Sequence, residues 1–319
     1  MGRYKPRPAL TARRVGLIAI GSNSTRMLTA DLDASLSKPV RGREETALFL
    51  SLDDKMLFSR EAMQRVAEAV NRLWQQAVTA GAQEVRMIAT SAMRDAANRQ
   101  ELDFYIAALC PIMLNRIISG QEEALLSFLG ACCIPPQPGL QGMIDIGGGS
   151  TEVALGTADE GLLSASSLQL GASRLLKMQR VDSLQDIALA RTLTDQIIMD
   201  GLPALPEHPR RWTLVGGTGT TLLGLIMRLP QTQPLPEGYS VRRDQVRGWL
   251  EKLAPLTSQQ RALLPGMPPT RVHIMLTGLT ILDALLELLN IKEITVSLRN
   301  NLDGYLYRLY TKPQEDADA

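Results

Sequence analysis

The sequence predicts an α/β protein built as two similar domains around a cleft, and three observations carry that prediction. A strand, glycine loop, strand unit occurs twice, as GLIAIGSNSTRML at residues 16–28 and as GMIDIGGGSTEVAL at residues 142–155. The copies keep a constant offset of 126 residues, with Ile18-Ala19-Ile20-Gly21 over Ile144-Asp145-Ile146-Gly147 and Ser24-Thr25 over Ser150-Thr151. A proline-rich break, CCIPPQPGLQG, separates the copies, and after it the same order of strand and helix patterns begins again. A chain of 319 residues also suits two ordinary domains better than one core.

Taken in order, residues 14–20 and 26–32 read as paired strands flanking the first glycine cluster, with a third strand at about 40–50. Ser59 is an apt N-cap, and Met63, Val66, Val70, Leu73 and Ala77 then fall on one helical face that Gly81 terminates. The strand EVRMIAT (84–90), a helix after TSAMRDAAN, a strand near MLNRIIS and a helix from about Gln121 to Ala131 complete the first half. The second half repeats the hairpin, adds a strand near LLSASSLQL and helices, and then WTLVGG (212–217), which runs into the turn GGTGTT and a helix. A loop-rich stretch at about 229–240, helices to about 290 and the strand EITVSL follow. The domains are placed at 1–130 and 131–304, with a C-terminal helix at about 305–319 packing back on the first.

Composition narrows the function classes. With 45% hydrophobic and 21% charged residues, a packed interior is expected rather than disorder. Thirty-four basic against 33 acidic side chains leave a net charge of +1, which argues against broad attachment to nucleic acid or to a membrane surface. Cys110, Cys132 and Cys133 have no CxxC spacing and read as buried small hydrophobes in a reducing compartment; with only two histidines, a structural zinc site is not expected. The basic N-terminus, MGRYKPRPALTARR, lacks the apolar core of a signal peptide and a myristoylation pattern. The longest apolar run, LTGLTILDALLELLNI, is broken by Asp283 and Glu287, so no membrane span and a cytoplasmic protein are expected.

The glycine loops carry the chemistry. A strand that ends in Gly21-Ser22-Asn23-Ser24, or in Gly147-Gly148-Gly149-Ser150-Thr151, can turn sharply and aim successive backbone N–H groups and hydroxyls at phosphate oxygens. A third loop, Gly216-Gly217-Thr218-Gly219, follows a strand in the same way. None is a Walker A or a GxGxxG fingerprint. Asp145, inside its strand and beside such a nest, either holds Mg²⁺ through water or caps the turn; Glu152 either joins it or faces solvent. Glu122 and Glu123 open a helix and point about 100° apart, so only one faces the cleft. Spacing alone leaves a dipole-complementing acid and a general base both open. Arg94 either meets a phosphate oxygen or makes a surface ion pair.

Read in order, IGSNSTRML, ATSAMRDAANR, ISGQEEALLSFLGA, IDIGGGSTEVALG, SLQLGASRL, LVGGTGTTLLGL and VSLRNNLDGYL resemble the exopolyphosphatase / guanosine pentaphosphate phosphohydrolase family, within the actin, Hsp70 and sugar-kinase superfamily, in its short two-domain form. The resemblance implies two RNase H-like (actin-like ATPase) domains, each a mixed five-stranded sheet with helices, and an enzyme that hydrolyses phosphoanhydrides with Mg²⁺ or Mn²⁺. It implies Glu122 as the base that activates water, Arg94 as a contact to the phosphate chain, Asp145 and Glu152 as metal and water-organising acids, the two loops as phosphate cradles, and Gly216 to Gly219 near a nucleoside. The implied partners are polyphosphate or a guanosine penta- or tetraphosphate, and a homodimer is open to such a chain. Two departures stand out. The family usually has Asp where this chain has Ala19, and a pattern like LREG where it has Leu302-Asp303-Gly304 after Asn300-Asn301. The first leaves a phosphate-binding sensor without turnover as the alternative to an enzyme.

Overall fold

The structure is a computed structural model that describes residues 13–230 and 233–312. The first lobe is a five-stranded sheet of β1 (Arg14–Ile20), β2 (Ser24–Asp31), β3 (Val40–Glu45), β4 (Glu84–Ala89) and β5 (Arg116–Ile117), in the order β3-β2-β1-β4-β5. The second is a six-stranded sheet of β6 (Gln141–Ile146), β7 (Thr151–Thr157), β8 (Gly161–Leu168), β9 (Arg211–Val215), β10 (Tyr239–Arg242) and β11 (Glu293–Val296), in the order β10-β11-β9-β6-β7-β8. In each sheet two antiparallel hairpins lead into strands that run parallel to the first strand. The duplication read from sequence is therefore a duplication of topology. The second sheet exceeds the expected five strands by β10, a four-residue edge strand at the end of a segment whose prolines 230, 234 and 236 mask it as loop.

The repeated loop makes the same turn twice. Gly21 N donates to Ser24 O at 3.1 Å, and Gly147 N donates to Ser150 O at 3.0 Å. The register carries the repeat further: Ala19 lies opposite Arg26 on β1–β2 as Asp145 lies opposite Glu152 on β6–β7. Residues directly opposite on an antiparallel pair share a face, so each hairpin carries a two-residue set next to its loop. In the second it is Asp/Glu; in the first, Ala/Arg.

Helices cover the sheets. On the first lobe, α1 (Arg60–Thr79) starts at Ser59, whose hydroxyl accepts from Ala62 N, and buries Met63, Val66, Val70, Leu73 and Ala77 as its periodicity predicts. The short α2 (Ser91–Asp95) and α3 (Arg99–Leu109) follow β4. The helix α4 (Gly120–Cys132), capped by Ser119, links the lobes. On the second lobe stand α5 (Ala172–Met178), α6 (Leu184–Gly201), α7 (Gly217–Met227), α8 (Arg243–Leu253), α9 (Ser258–Ala262) and α10 (Met275–Leu288); α10 is buried for most of its length because Leu, Ile and Met surround it on every side.

The last helix, α11 (Asn301–Thr311), starts earlier than 305 and crosses α4 closely. A Cβ on Gly304 would lie 1.8 Å from Leu126 O, so only glycine lets these backbones meet. Leu302, Tyr305, Leu306 and Leu309 join Val15, Leu17, Ala19 and Leu28 in one apolar cluster against the first sheet. The basic N-terminal stretch and residues 313–319, where that helix is expected to continue, lie outside the described residues. Among the described residues no helix is long and apolar enough to cross a membrane. The three cysteines are free and buried, and burial pushes the thiols of Cys132 and Cys133 up to about 12 and about 11, as inert packing groups require.

Candidate functional site

The two glycine loops meet. Gly21, Ser22, Asn23 and Ser24 from the first lobe and Gly147, Gly148, Gly149 and Ser150 from the second line one cavity of about 60 Å³. The approach is so close that a Cβ on Gly149 would lie 2.4 Å from Ser91 Oγ and 2.7 Å from Ser22 Oγ. The run of glycines is thus required by contact between lobes as well as by the turn itself. Among the described residues, Ser22 Oγ and Asn23 Oδ1 are buried there with no hydrogen-bond partner, two polar atoms that a ligand oxygen or cation can satisfy.

Glu123, one residue beyond the expected base, enters this cavity. It is 8% exposed, and its Oε2 accepts from Arg94 Nη1 at 2.8 Å. Burial raises its pKa above the ordinary carboxylate value, with the Arg94 charge and hydrogen bond opposing. Glu122 is placed elsewhere. Its Oε1 accepts from Arg116 and from Arg308 Nη1 at 3.0 Å, on a surface shared with Leu162 to Ala165 of β8. The reason is helical rotation: Ser119 fixes the start of α4, and the face that meets β6 carries Glu123 and, one turn on, Ser127. The expectation that Glu122 faces the cleft is corrected to Glu123.

Arg94 does reach the site. Besides Glu123 it donates to Ile118 O at 2.9 Å and, through Nη2, to Ser150 Oγ at 3.3 Å, so it joins the carboxylate to the second loop. Asp145 lines the cavity at 8% exposure; Oδ2 accepts from Ser127 Oγ at 2.6 Å, and burial raises its pKa against the pull of Ser127 and Arg26. Its Oδ1 lies 2.8 Å from where a Cβ of Gly216 would stand, and Gly216 adopts φ +94°. Glu152 does not line the cavity. It is 1% exposed and accepts from Ser167 Oγ at 2.8 Å, and burial, together with the charges of Glu123 and Asp145, raises its pKa well above the ordinary carboxylate value. Thr151 is fully buried and donates to Leu170 O, which ties β7 to the loop before α5 and takes its hydroxyl away from the cavity. Of the third loop, Gly216 and Gly217 reach the cavity, whereas Thr218 packs on Gly278 and Gly219 on Leu214 inside α7.

Three arginines that sequence reasoning missed complete the lining: Arg26, Arg43 and Arg271. Arg26 occupies the position that the 126-residue offset matches to Glu152, a signal the repeat already contained. It donates to Asn301 Oδ1 at 3.1 Å. Arg271 stacks over Gly217 and, among the described residues, makes no side-chain hydrogen bond; burial, then the like charge of Arg43, pushes it down to about 9, still a cation at neutral pH. Beyond Arg43 and Arg271 a second cavity of about 530 Å³ opens between Thr220, Gln233, Leu235 and Pro268. The site thus sets the carboxylates of Glu123 and Asp145 in one cavity with Arg26, Arg43 and Arg271, Arg26 lying within electrostatic reach of both acids. Three arginines in one cavity favour an anionic ligand. Ala19 does not line the cavity; it is fully buried in the apolar cluster that holds Leu302. Among the described residues no group of three or more His, Cys, Asp or Glu is arranged to hold a metal by itself.

Comparison with known proteins gives one consistent answer. The profile of the Ppx/GppA phosphatase family matches residues 35–312. Exopolyphosphatase 2 of Mycobacterium tuberculosis is 31% identical over 315 residues, which span 91% of this chain and 97% of that protein. A guanosine-5'-triphosphate,3'-diphosphate pyrophosphatase of Pseudoalteromonas translucida is 27% identical over 322 residues, 97% of this chain but 61% of that longer protein. Among solved structures, an exopolyphosphatase-like protein superposes with a TM-score of 0.86 at 25% identity, over 97% of this chain and 99% of its own.

Proposed function

The chain belongs to the Ppx/GppA phosphatase family, and from that premise we propose that it hydrolyses the terminal phosphoanhydride bond of a polyphosphate chain, with Glu123 as the base. The observation that carries the reading is one buried carboxylate, Glu123, held by Arg94 in the cavity that both glycine loops form. The terminal phosphate lies between the loops, where backbone N–H groups and the hydroxyls of Ser22 and Ser150 bind its oxygens. Glu123 takes a proton from a water, the water oxygen bonds to phosphorus, and the bond from phosphorus to the bridging oxygen breaks. The bridging oxygen leaves on the shortened chain, its negative charge met by the Arg26, Arg43 and Arg271 group. Orthophosphate is the second product.

The donor set fits a hard divalent cation. Asp145 and Glu123 supply carboxylate oxygens, and the unpartnered Asn23 Oδ1 and Ser22 Oγ lie in the same cavity, with no thiol or imidazole. Mg²⁺ or Mn²⁺ held there by Asp145, and by Glu123 or a water, would neutralise charge on the phosphate oxygens. Two carboxylates are enough for Mg²⁺, which keeps waters and shares substrate phosphates.

The second cavity favours a further substrate. A guanosine penta- or tetraphosphate would set its phosphates against Arg43 and Arg271 and its nucleoside among Thr220, Gln233 and Pro268. The test is orthophosphate release from polyphosphate and from guanosine pentaphosphate with Mg²⁺, alongside calorimetric binding of each. Release from either supports a hydrolase. Tight binding with no release favours the sensor that Ala19 leaves open.

A further inference from the structure

The SLQLGASRL stretch, residues 167–175, supplies nothing to the reaction as derived above, yet its arginine bonds to both lobes. Arg174 Nε donates to Gly149 O at 2.6 Å, the carbonyl at the tip of the second glycine loop. Its Nη2 donates to Asp95 of the first lobe, to Ser91 Oγ of the same lobe at 3.4 Å, and to Gln169 Oε1 at 3.0 Å. The guanidinium carbon stands 4.7 Å from the centre of the Phe49 ring. Phe49 N in turn donates to Ser22 O at 2.8 Å, in the first glycine loop. A continuous path therefore runs from one loop to the other: Ser22, Phe49, Arg174, Gly149. The helix that carries Arg174 is tied to the second loop by backbone bonds as well, from Ala172 N to Gly147 O at 2.9 Å and from Ser173 N to Gly148 O at 2.8 Å. One turn on, Lys177 donates to Leu52 O across the same boundary.

We infer that Arg174 is a positioning residue that couples the two phosphate loops, so that the second loop takes its binding shape only when the first lobe is seated against it. The mechanism follows from peptide geometry. In a planar trans peptide the N–H points opposite to the carbonyl, so pinning Gly149 O fixes the direction of the Ser150 N–H. The arm that pins it is aligned by Asp95 and Phe49, both on the other lobe. When the lobes part, the guanidinium loses its carboxylate and its ring, and nothing else among the described contacts holds the Gly149 carbonyl. A bidentate, stacked guanidinium is suited to this where an ammonium is not, since it bonds a carbonyl and a carboxylate while lying on a ring. The inference rests on the reading of both loops as one phosphate site.

The test uses the intact chain and three variants, Arg174→Gln, Arg174→Lys and Asp95→Asn, read by amide hydrogen exchange and by steady-state phosphate release. With Arg174→Gln, exchange speeds up in residues 147–151 of the second lobe and also in residues 22–24 and 46–52 of the first, while α1 and α10 keep their protection. Asp95→Asn, a change on the opposite lobe, speeds exchange in residues 147–151. In turnover, Arg174→Gln lowers kcat/KM by about tenfold or more, mainly through KM, and Arg174→Lys recovers only part. Faster exchange confined to α5 and residues 147–151, or an unchanged second loop in Asp95→Asn, overturns the coupling. So does full recovery by Arg174→Lys. If the unaltered chain releases no phosphate, the hydrolase reading falls, and the exchange pattern alone then decides for or against the coupling.

Discussion

Replacing Ala19 with aspartate restores the acid that the family resemblance expects, and the structure predicts harm rather than gain. Ala19 is fully buried on β1, in an apolar cluster with Leu17, Ile88, Ile118, Leu126 and Leu302, and it does not line the cavity. A carboxyl with an ordinary pKa near 4 must be neutralised to sit there at pH 7, and three pH units correspond to about 4 kcal/mol. Arg26 is its cross-strand neighbour and can return part of this, but only by leaving Asn301 and the phosphate cavity. The expected net loss is about 2–4 kcal/mol, which in a domain of this size lowers the melting temperature by roughly 5–15 °C. Aligned on its glycine, the LREG pattern puts arginine at the position of Leu302, in the same cluster as Ala19. Positions 19 and 302 share that buried cluster, so an arginine introduced at 302 would give the new carboxylate a cation, and Leu302→Arg added to Ala19→Asp should restore much of the stability. Thermal melting of the single and double variants, with phosphate release from polyphosphate alongside, checks this. A single variant that melts like the parent and turns over faster would refute the reasoning, because position 19 would then face the cation.

Other consequences are as direct. Arg94→Ala leaves Glu123 buried without its cation and cuts the link to Ser150, so phosphate release should fall by at least about a hundredfold, with a stability loss of about 3–5 kcal/mol; a denaturant melt with a parallel activity assay checks both. Gly149→Ala puts a methyl against Ser91 Oγ and Ser22 Oγ and holds the lobes apart, so KM for polyphosphate should rise while the melting temperature moves little. In the second lobe, hydrogen bonds from Arg191 and Arg243 hold Glu287 down to about 2 from its ordinary 4.5. A depressed carboxylate stabilises above its unfolded pKa, so this contribution is present above about pH 4.5 and is lost as pH falls toward about 2. Glu287→Gln should flatten the pH dependence of melting across that window, by a modest amount because the group is half exposed.

The repeat was legible because both copies obey the same local rules: an apolar strand, a glycine turn closed by the same backbone bond, and a second strand at fixed register. The helix α1 was legible for a similar reason, since its cap, its stripe and its stop agree. What escaped the sequence depended on relations that no local pattern holds. Glu122 and Glu123 are chemically identical neighbours, and only the rotation of α4 set by Ser119, with Ser127 against Asp145, decides between them. Glu152 looked like a ligand from its place after the loop; its full burial under Ser167 depends on where β8 lies. Arg43 and Arg271 come from segments far apart in the chain and meet only when the lobes do. Arg26 could have been found by carrying the 126-residue offset one position further than the matched Ser24-Thr25 and Ser150-Thr151.

The central claim is that Glu123, and not its neighbour, activates water. The direct measurement is orthophosphate release from polyphosphate by Glu123→Gln and by Glu122→Gln, each shown by thermal melting to be folded. The account predicts that Glu123→Gln loses turnover by about a hundredfold or more while still binding polyphosphate, and that Glu122→Gln, which disturbs only the Arg116 and Arg308 pairs, keeps most of it. A folded Glu123→Gln with parental turnover, or a loss confined to Glu122→Gln, would contradict it.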